Sequence, residues 1–225
     1  MSGFESTYGR EFKLAKVGGM PALVSAVQAE PEDVSWPLLA GRFETYLTRT
    51  HLSSSYGSIR DTVGWDYFYY EYGTNYSGHL AMCVEGSDVV LLGPDGHVLF
   101  RTNPDELIGQ CHFVGINDDL VVYSAPAMGA FVLVDITSLA VRIVRGRPLC
   151  TPYGVDVDRD ANIVFACARR RQVIKLIAPD YSAFEVLSPI EGHPGDVVVS
   201  GGTVWFESYV DFGRSELVRL SNVRS

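Results

Sequence analysis

Short apolar runs return about every 42 residues along this chain, a period that points to an architecture built from copies of one supersecondary unit. Leu80-Ala81-Met82-Cys83, Leu120-Val121-Val122-Tyr123, Ile163-Val164-Phe165-Ala166 and Val204-Trp205-Phe206-Glu207 begin 40, 43 and 41 residues apart. A second series follows them: Val89-Val90-Leu91-Leu92, Phe131-Val132-Leu133-Val134, Val173-Ile174-Lys175-Leu176 and Leu217-Val218-Arg219-Leu220, at spacings of 42, 42 and 44. A third comprises Val98-Leu99-Phe100, Val141-Arg142-Ile143 and Phe184-Glu185-Val186. These runs are β-branched and aromatic, and turn residues such as Pro94-Asp95-Gly96 and Pro179-Asp180-Tyr181-Ser182 separate them, so each copy reads as a meander of strands.

A fourth series precedes the first: Tyr67-Phe68-Tyr69-Tyr70, Val114-Gly115-Ile116, Val155-Asp156-Val157 and Val197-Val198-Val199. Four strands per copy is the pattern of a propeller blade. The expected fold is all-β, a small β-propeller of four-stranded antiparallel blades, five in number, in one domain over 1–225. The blades fall at about 20–61, 62–108, 109–149, 150–191 and 192–225, the last completed by 11–17. The clearest copy, Tyr153-Gly154-Val155-Asp156-Val157-Asp158-Arg159-Asp160-Ala161-Asn162-Ile163-Val164-Phe165, resembles the NHL-type repeats of propellers, whose inner strands carry a Gly-Val-Asp-Val-Asp-type pattern. The resemblance covers one blade well and two others loosely.

The final copy lacks its fourth strand, and Phe12-Lys13-Leu14-Ala15-Lys16-Val17 is the segment expected to supply it, closing the ring and removing two open edges. Ala22-Leu23-Val24-Ser25-Ala26-Val27 would then be the inner strand of the first blade. Between Asp33 and Thr50, apolar residues at Val34, Leu38, Leu39, Phe43 and Leu47 also suit a helix, which would leave a four-bladed or incomplete ring, or a β-sandwich with a helix.

A formal net charge of −9 opposes binding to a phosphate backbone, and Arg169-Arg170-Arg171 is the one dense basic run, so nucleic acid is not an expected partner. No run of eighteen apolar residues and no leader pattern occurs, so the chain is expected to be soluble, cytoplasmic and without a membrane partner. Cys83, Cys111, Cys150 and Cys167 lie far apart and read as small buried apolar residues. No metal and no cofactor is expected. Asp156, Asp158, Asp160 and Asn162 alternate as in a calcium loop, but the central Gly and the distal Glu are missing, and a strand followed by a turn accounts for them. Asp156 is expected to face the channel and to meet a cation or water there.

Loops entering the inner strands share one end of such a ring. They carry Met20-Pro21, Trp65-Asp66, Cys111-His112, Pro152-Tyr153 and His193-Pro194, and neighbouring turns add Met128, Arg169 to Arg171 and Tyr209 to Phe212. As an acid–base site this end would use His112 or His193 as general base, Asp66 or Asp196 to orient it and Tyr153 as proton donor. As a ligand site it would use Trp65, Met128, Arg169, Arg171, Tyr209, Asp211 and Phe212. From Trp65 to Tyr76, seven aromatics in twelve positions offer a further surface for a sugar ring or a partner protein. Three functions fit: a module binding a protein or glycan through this face, a hydrolase, lyase or isomerase of small molecules, or an assembly subunit.

Overall fold

The computed structural model describes residues 2–5, 11–26, 35–40, 43–48, 70–84, 89–95, 97–102, 111–145, 151–211 and 214–221. They form twenty strands and one 3-10 turn, Pro126–Met128, without an α-helix. In chain order these are β1 (Ser2–Glu5); β2 (Glu11–Val17), β3 (Met20–Ala26), β4 (Ser35–Ala40) and β5 (Phe43–Thr48); and β6 (Tyr70–Thr74), β7 (Leu80–Val84), β8 (Val89–Leu92) and β9 (Val98–Thr102). There follow β10 (Phe113–Ile116), β11 (Leu120–Ala125), β12 (Ala130–Asp135) and β13 (Val141–Arg145), then β14 (Pro152–Val157), β15 (Ile163–Cys167), β16 (Gln172–Leu176) and β17 (Phe184–Pro189). The last three are β18 (His193–Ser200), β19 (Thr203–Asp211) and β20 (Arg214–Leu220).

The strands build four sheets in a ring, a small β-propeller. Three are four-stranded: β10-β11-β12-β13, β14-β15-β16-β17 and β1-β20-β19-β18. The eight-stranded sheet, β5-β4-β3-β2-β6-β7-β8-β9, is two antiparallel meanders joined by one parallel pairing of Lys16 with Gly73. Innermost strands follow one another around the ring as β2, β6, β10, β14 and β18, and β18 returns to β2.

The middle strands are buried on both sides because each sheet lies between two others. β8 and β15 are buried at every position, while the outer β9, β13 and β17 are largely exposed. The core is therefore divided into inter-sheet layers. Ala81, Cys83, Val89 and Leu91 pack on Ile116, Val121, Tyr123 and Val132, and Tyr123 donates its hydroxyl to Val90 O at 2.9 Å. Phe131 meets Phe165 edge-on at 5.0 Å in the next layer, and Val164, Ala166 and Val173 pack on Val197, Val204 and Phe206 in the one after. Cys83, Cys111 and Cys167 are buried thiols without a disulfide, as the spacing predicts; Cys150 lies outside the described residues.

Two sequence expectations need correction. The strand closing the ring is Ser2–Glu5, which pairs antiparallel with Arg214–Leu220. Phe12 to Val17 belongs instead to β2, paired along its whole length with β3, so β2 and not 22–27 is innermost in the first meander. Of the two readings of 33–50, the described residues take the strands: β4 pairs antiparallel with β5. Leu38 and Leu39 serve either periodicity, and Phe43 to Thr48 alternates equally well as a strand. Of the inner strand expected at Tyr67 to Tyr70, Tyr70 lies in β6 and the first three residues lie outside the described set.

Candidate functional site

Each innermost strand ends in a turn leading to its second strand, and register fixes which positions are equivalent. Lys16, Gly73, Gly115, Asp156 and Val198 pair with Pro21, Ala81, Val122, Val164 and Trp205, so they occupy one level of the ring. Two of the five are glycines, and two carry opposite charges. A Cβ on Gly115 would fall 2.3 Å from Asp156 Cα, so glycine lets β10 approach β14 closely. Lys16 crosses the interior: its ammonium lies 2.7 Å from Asp156 Oδ2, 2.8 Å from Ile116 O and 3.4 Å from Val157 O. Asp156 also accepts from the amides of Ile116 (3.1 Å), Val157 (2.8 Å) and Val199 (2.6 Å). The side chains are 6% and 1% exposed, so the pair is buried inside the ring. Burial pushes the Asp156 carboxyl above its ordinary value, with the Lys16 ammonium and the Val199 and Val157 amides pulling against it. The cation expected opposite Asp156 is thus the chain's own lysine.

Two residues further on, side chains link neighbouring turns. Asn75 donates its amide to Asn117 O at 3.0 Å, and Asn117 donates to Asp158 O at 2.7 Å. Each braces its own turn as well. Asn75 Oδ1 accepts from His79 N, Asn117 Oδ1 from the amides of Asp119 and Leu120, and Asp158 Oδ1 from those of Asp160 and Asn162. Asp158 Oδ2 takes the Asn162 amide at 2.9 Å and the buried Lys175 ammonium at 3.3 Å. Those commitments leave the Asp-x-Asp-x-Asp-x-Asn run as a strand and a capped turn.

Above this belt opens a cavity of about 680 Å³, whose walls include Lys16, Val157 and Val199 and whose mouth is set by the same turns. At the next position around the ring stand Gly19, Tyr76, Asp118, Arg159 and Gly201, all of which line it. Tyr76 is 67% exposed, its ring lying over Gly19, where a Cβ would be 2.3 Å from Tyr76 Cε2, and its hydroxyl reaches Met20 Sδ at 3.0 Å. Asp118 is held by the amide and hydroxyl of Ser77 through one oxygen, Oδ1. Asp119 and Arg159 are exposed. Around Gly201 a Cβ would meet nothing within 4 Å, so the wall is open there.

The cavity lies at the end opposite the one expected to carry the site. At the expected end, His112 is half-buried with its amide bonded to Ser124 O at 2.9 Å, and Phe113 stacks between it and Tyr153, with ring centroids 6.5 and 5.4 Å away. His193 is exposed at the start of β18, and β14 lies between its strand and that of His112. Asp196 is buried, and the sequence reading missed its neighbour Glu207, which is 2% exposed and accepts the Tyr209 hydroxyl at 3.1 Å. An acidic residue inside an otherwise apolar strand run was the available signal. Met128 is exposed on the 3-10 turn, Arg169 and Arg171 are exposed on the β15–β16 turn, and Asp211 pairs with Arg214 in the β19–β20 hairpin. Trp65, Asp66 and Phe212 lie outside the described residues. No group of three metal-ligating side chains occurs among the described residues, and none of their helices is long and apolar enough to cross a membrane.

No known protein family and no curated protein matches the chain. Solved structures do match it. A nidogen/laminin complex gives a TM-score of 0.56 at 12% identity over 88% of this chain and 72% of the other. A streptogramin B lyase gives 0.50 at 12% identity over 68% and 54%, and a catalytically inactive virginiamycin B lyase from Staphylococcus aureus with quinupristin gives 0.50 at 13% over 68% and 55%. The chain spans about half the length of the two lyases. Identities this low establish a shared propeller fold and leave the chemistry to the site itself.

Proposed function

We propose that the chain is a binding module, a five-bladed propeller if the eight-stranded sheet counts as two blades, which takes a protein or glycan ligand into the cavity at the β2–β3, β6–β7, β10–β11, β14–β15 and β18–β19 turns. The observation that carries this reading is the cavity itself, open at its mouth and floored by an ion pair whose groups are already satisfied. Covalent catalysis there would need a nucleophile with an adjacent base. Among the described residues, no histidine or cysteine lines the cavity, and Lys16 and Asp158 are committed to partners. A propeller neighbour taken from a nidogen/laminin complex is in keeping with a binding role. The test is amide hydrogen exchange against panels of peptides and oligosaccharides: a ligand should slow exchange in the turns at 75–77, 117–119, 158–160 and 200–202. Protection confined to the other end of the ring would overturn this placement.

A second reading, an acid–base enzyme at the opposite end, draws on two buried carboxylates, Asp196 and Glu207, the latter accepting the Tyr209 hydroxyl. His112, His193 and Tyr153 would join them as acid–base groups and Arg169 and Arg171 as ligand contacts, and two lyases among the propeller neighbours fit such a role. Its test is turnover that falls with Glu207→Gln and survives Asp118→Asn.

A further inference from the structure

We infer that the cavity takes a neutral sugar ring, recognised by one side chain from each of three successive repeats: Tyr76, Asp118 and Arg159. This deepens the binding reading and rests on it. The three occupy the same position after their innermost strands, while the corresponding residues of the other two repeats are Gly19 and Gly201. Side chains therefore crowd one part of the mouth, where the Tyr76 ring also covers Gly19, and the wall stays open at Gly201. Such an asymmetric mouth seats a ligand against one wall and admits it through the other.

The chemistry of that wall selects the ligand. An exposed phenol ring presents an electron-rich face, which attracts the weakly positive C–H face of a pyranose. Asp118 spends one oxygen on Ser77 and so retains acceptor capacity, which adjacent hydroxyls fill as donors. Arg159 offers only donors, which the same hydroxyls fill as acceptors. Vicinal hydroxyls satisfy both kinds of group at once. An anionic ligand would face Asp118 and Asp119 on a chain of net charge −9, and a basic side chain would face Arg159. A neutral ring carrying hydroxyls meets neither penalty.

The probe is a set of arrayed neutral oligosaccharides of glucose, galactose and mannose, alongside sialylated and sulfated glycans and basic and acidic peptides, all presented to the whole chain. Neutral glycans should bind and slow amide exchange in the turns at 75–77, 117–119 and 158–160. Tyr76→Ala should weaken the best neutral ligand about tenfold, and Asp118→Ala by a similar factor. Both residues are exposed, so the variants should keep the melting temperature of the parent and separate lost binding from lost folding. If peptides or anionic glycans alone protect these turns, the sugar assignment is overturned and the binding reading stands. If no probe protects them, both fall.

Discussion

The Lys16 ammonium and the Asp156 carboxylate meet 2.7 Å apart across the interior of the ring, drawn from its first and fourth innermost strands. Through their backbone bonds to Ile116, Val157 and Val199 they tie together β2, β10, β14 and β18. Removing one member leaves the other charged and buried. Lys16→Met or Asp156→Leu should each cost about 3–5 kcal/mol, whereas the double variant should cost clearly less than the sum, because neither charge is then stranded. Urea denaturation of the four proteins checks this, and additive losses would refute the coupling.

Glycines inside the ring and at the cavity mouth differ in what they protect. Gly115→Ala places a methyl 2.3 Å from Asp156 Cα, so the backbones of β10 and β14 must separate, at about 3 kcal/mol or more. Gly201→Ala meets no atom within 4 Å and suffers only from its φ of +54°, which costs about 1–2 kcal/mol. Thermal melts should rank Gly115→Ala well below Gly201→Ala.

Asn117 does two jobs that substitution can separate. Asn117→Asp keeps the acceptor for the amides of Asp119 and Leu120 but loses the donor to Asp158 O, at about 1 kcal/mol. Asn117→Ala loses both, at about 2 kcal/mol. An Asn117→Asp variant as stable as the parent in denaturant titration would show that the link between turns adds nothing, and equal losses in the two variants would show that the acceptor adds nothing.

Asp135 caps its own turn by accepting the amide and hydroxyl of Ser138 at 2.7 and 2.8 Å, and these bonds hold its carboxyl below the ordinary 3.8. A depressed carboxyl contributes stability that is present above 3.8 and lost as pH falls through the folded value. Ser138→Ala should therefore be less stable than the parent at neutral pH, with the gap narrowing on acidification below pH 3.8. A gap that widens with acid would contradict the assignment.

Tyr123 is fully buried, and burial raises its phenol well above 10.0, ahead of the smaller effects of Cys83 and Cys111. It should stay protonated in the folded protein under alkali that ionises exposed tyrosines. Tyr123→Phe strands Val90 O and should cost about 1–3 kcal/mol, read by chemical denaturation.

The sequence made the meanders legible because Val, Ile and aromatic runs at a fixed period can be buried on both sides only by stacking sheets. It misled at the start of the chain, where Phe12 to Val17 fits a strand anywhere in a ring and pairing partners leave no local trace. The ion pair was half visible: Asp156 stood out inside an apolar strand, but the residue facing it comes from a distant repeat. The cavity was missed because loop composition drew attention to histidines and tryptophan at one end. Its own mouth uses Gly19, Asn75, Asn117 and Gly201, which read as ordinary turn residues until strand register lines them up.

Closure by Ser2–Glu5 against Arg214–Leu220 also sets a timetable. On a ribosome the first strand emerges long before its mate, so it must wait, unpaired, while every intervening sheet is made. Local meanders can assemble as they appear, but the circle can be sealed only after residue 220 is free of the exit tunnel. Emergence of residue 220, more than the pairing of any single hairpin, is then the step that ends the exposure of the first strand to chaperones and to strand exchange with neighbouring nascent copies.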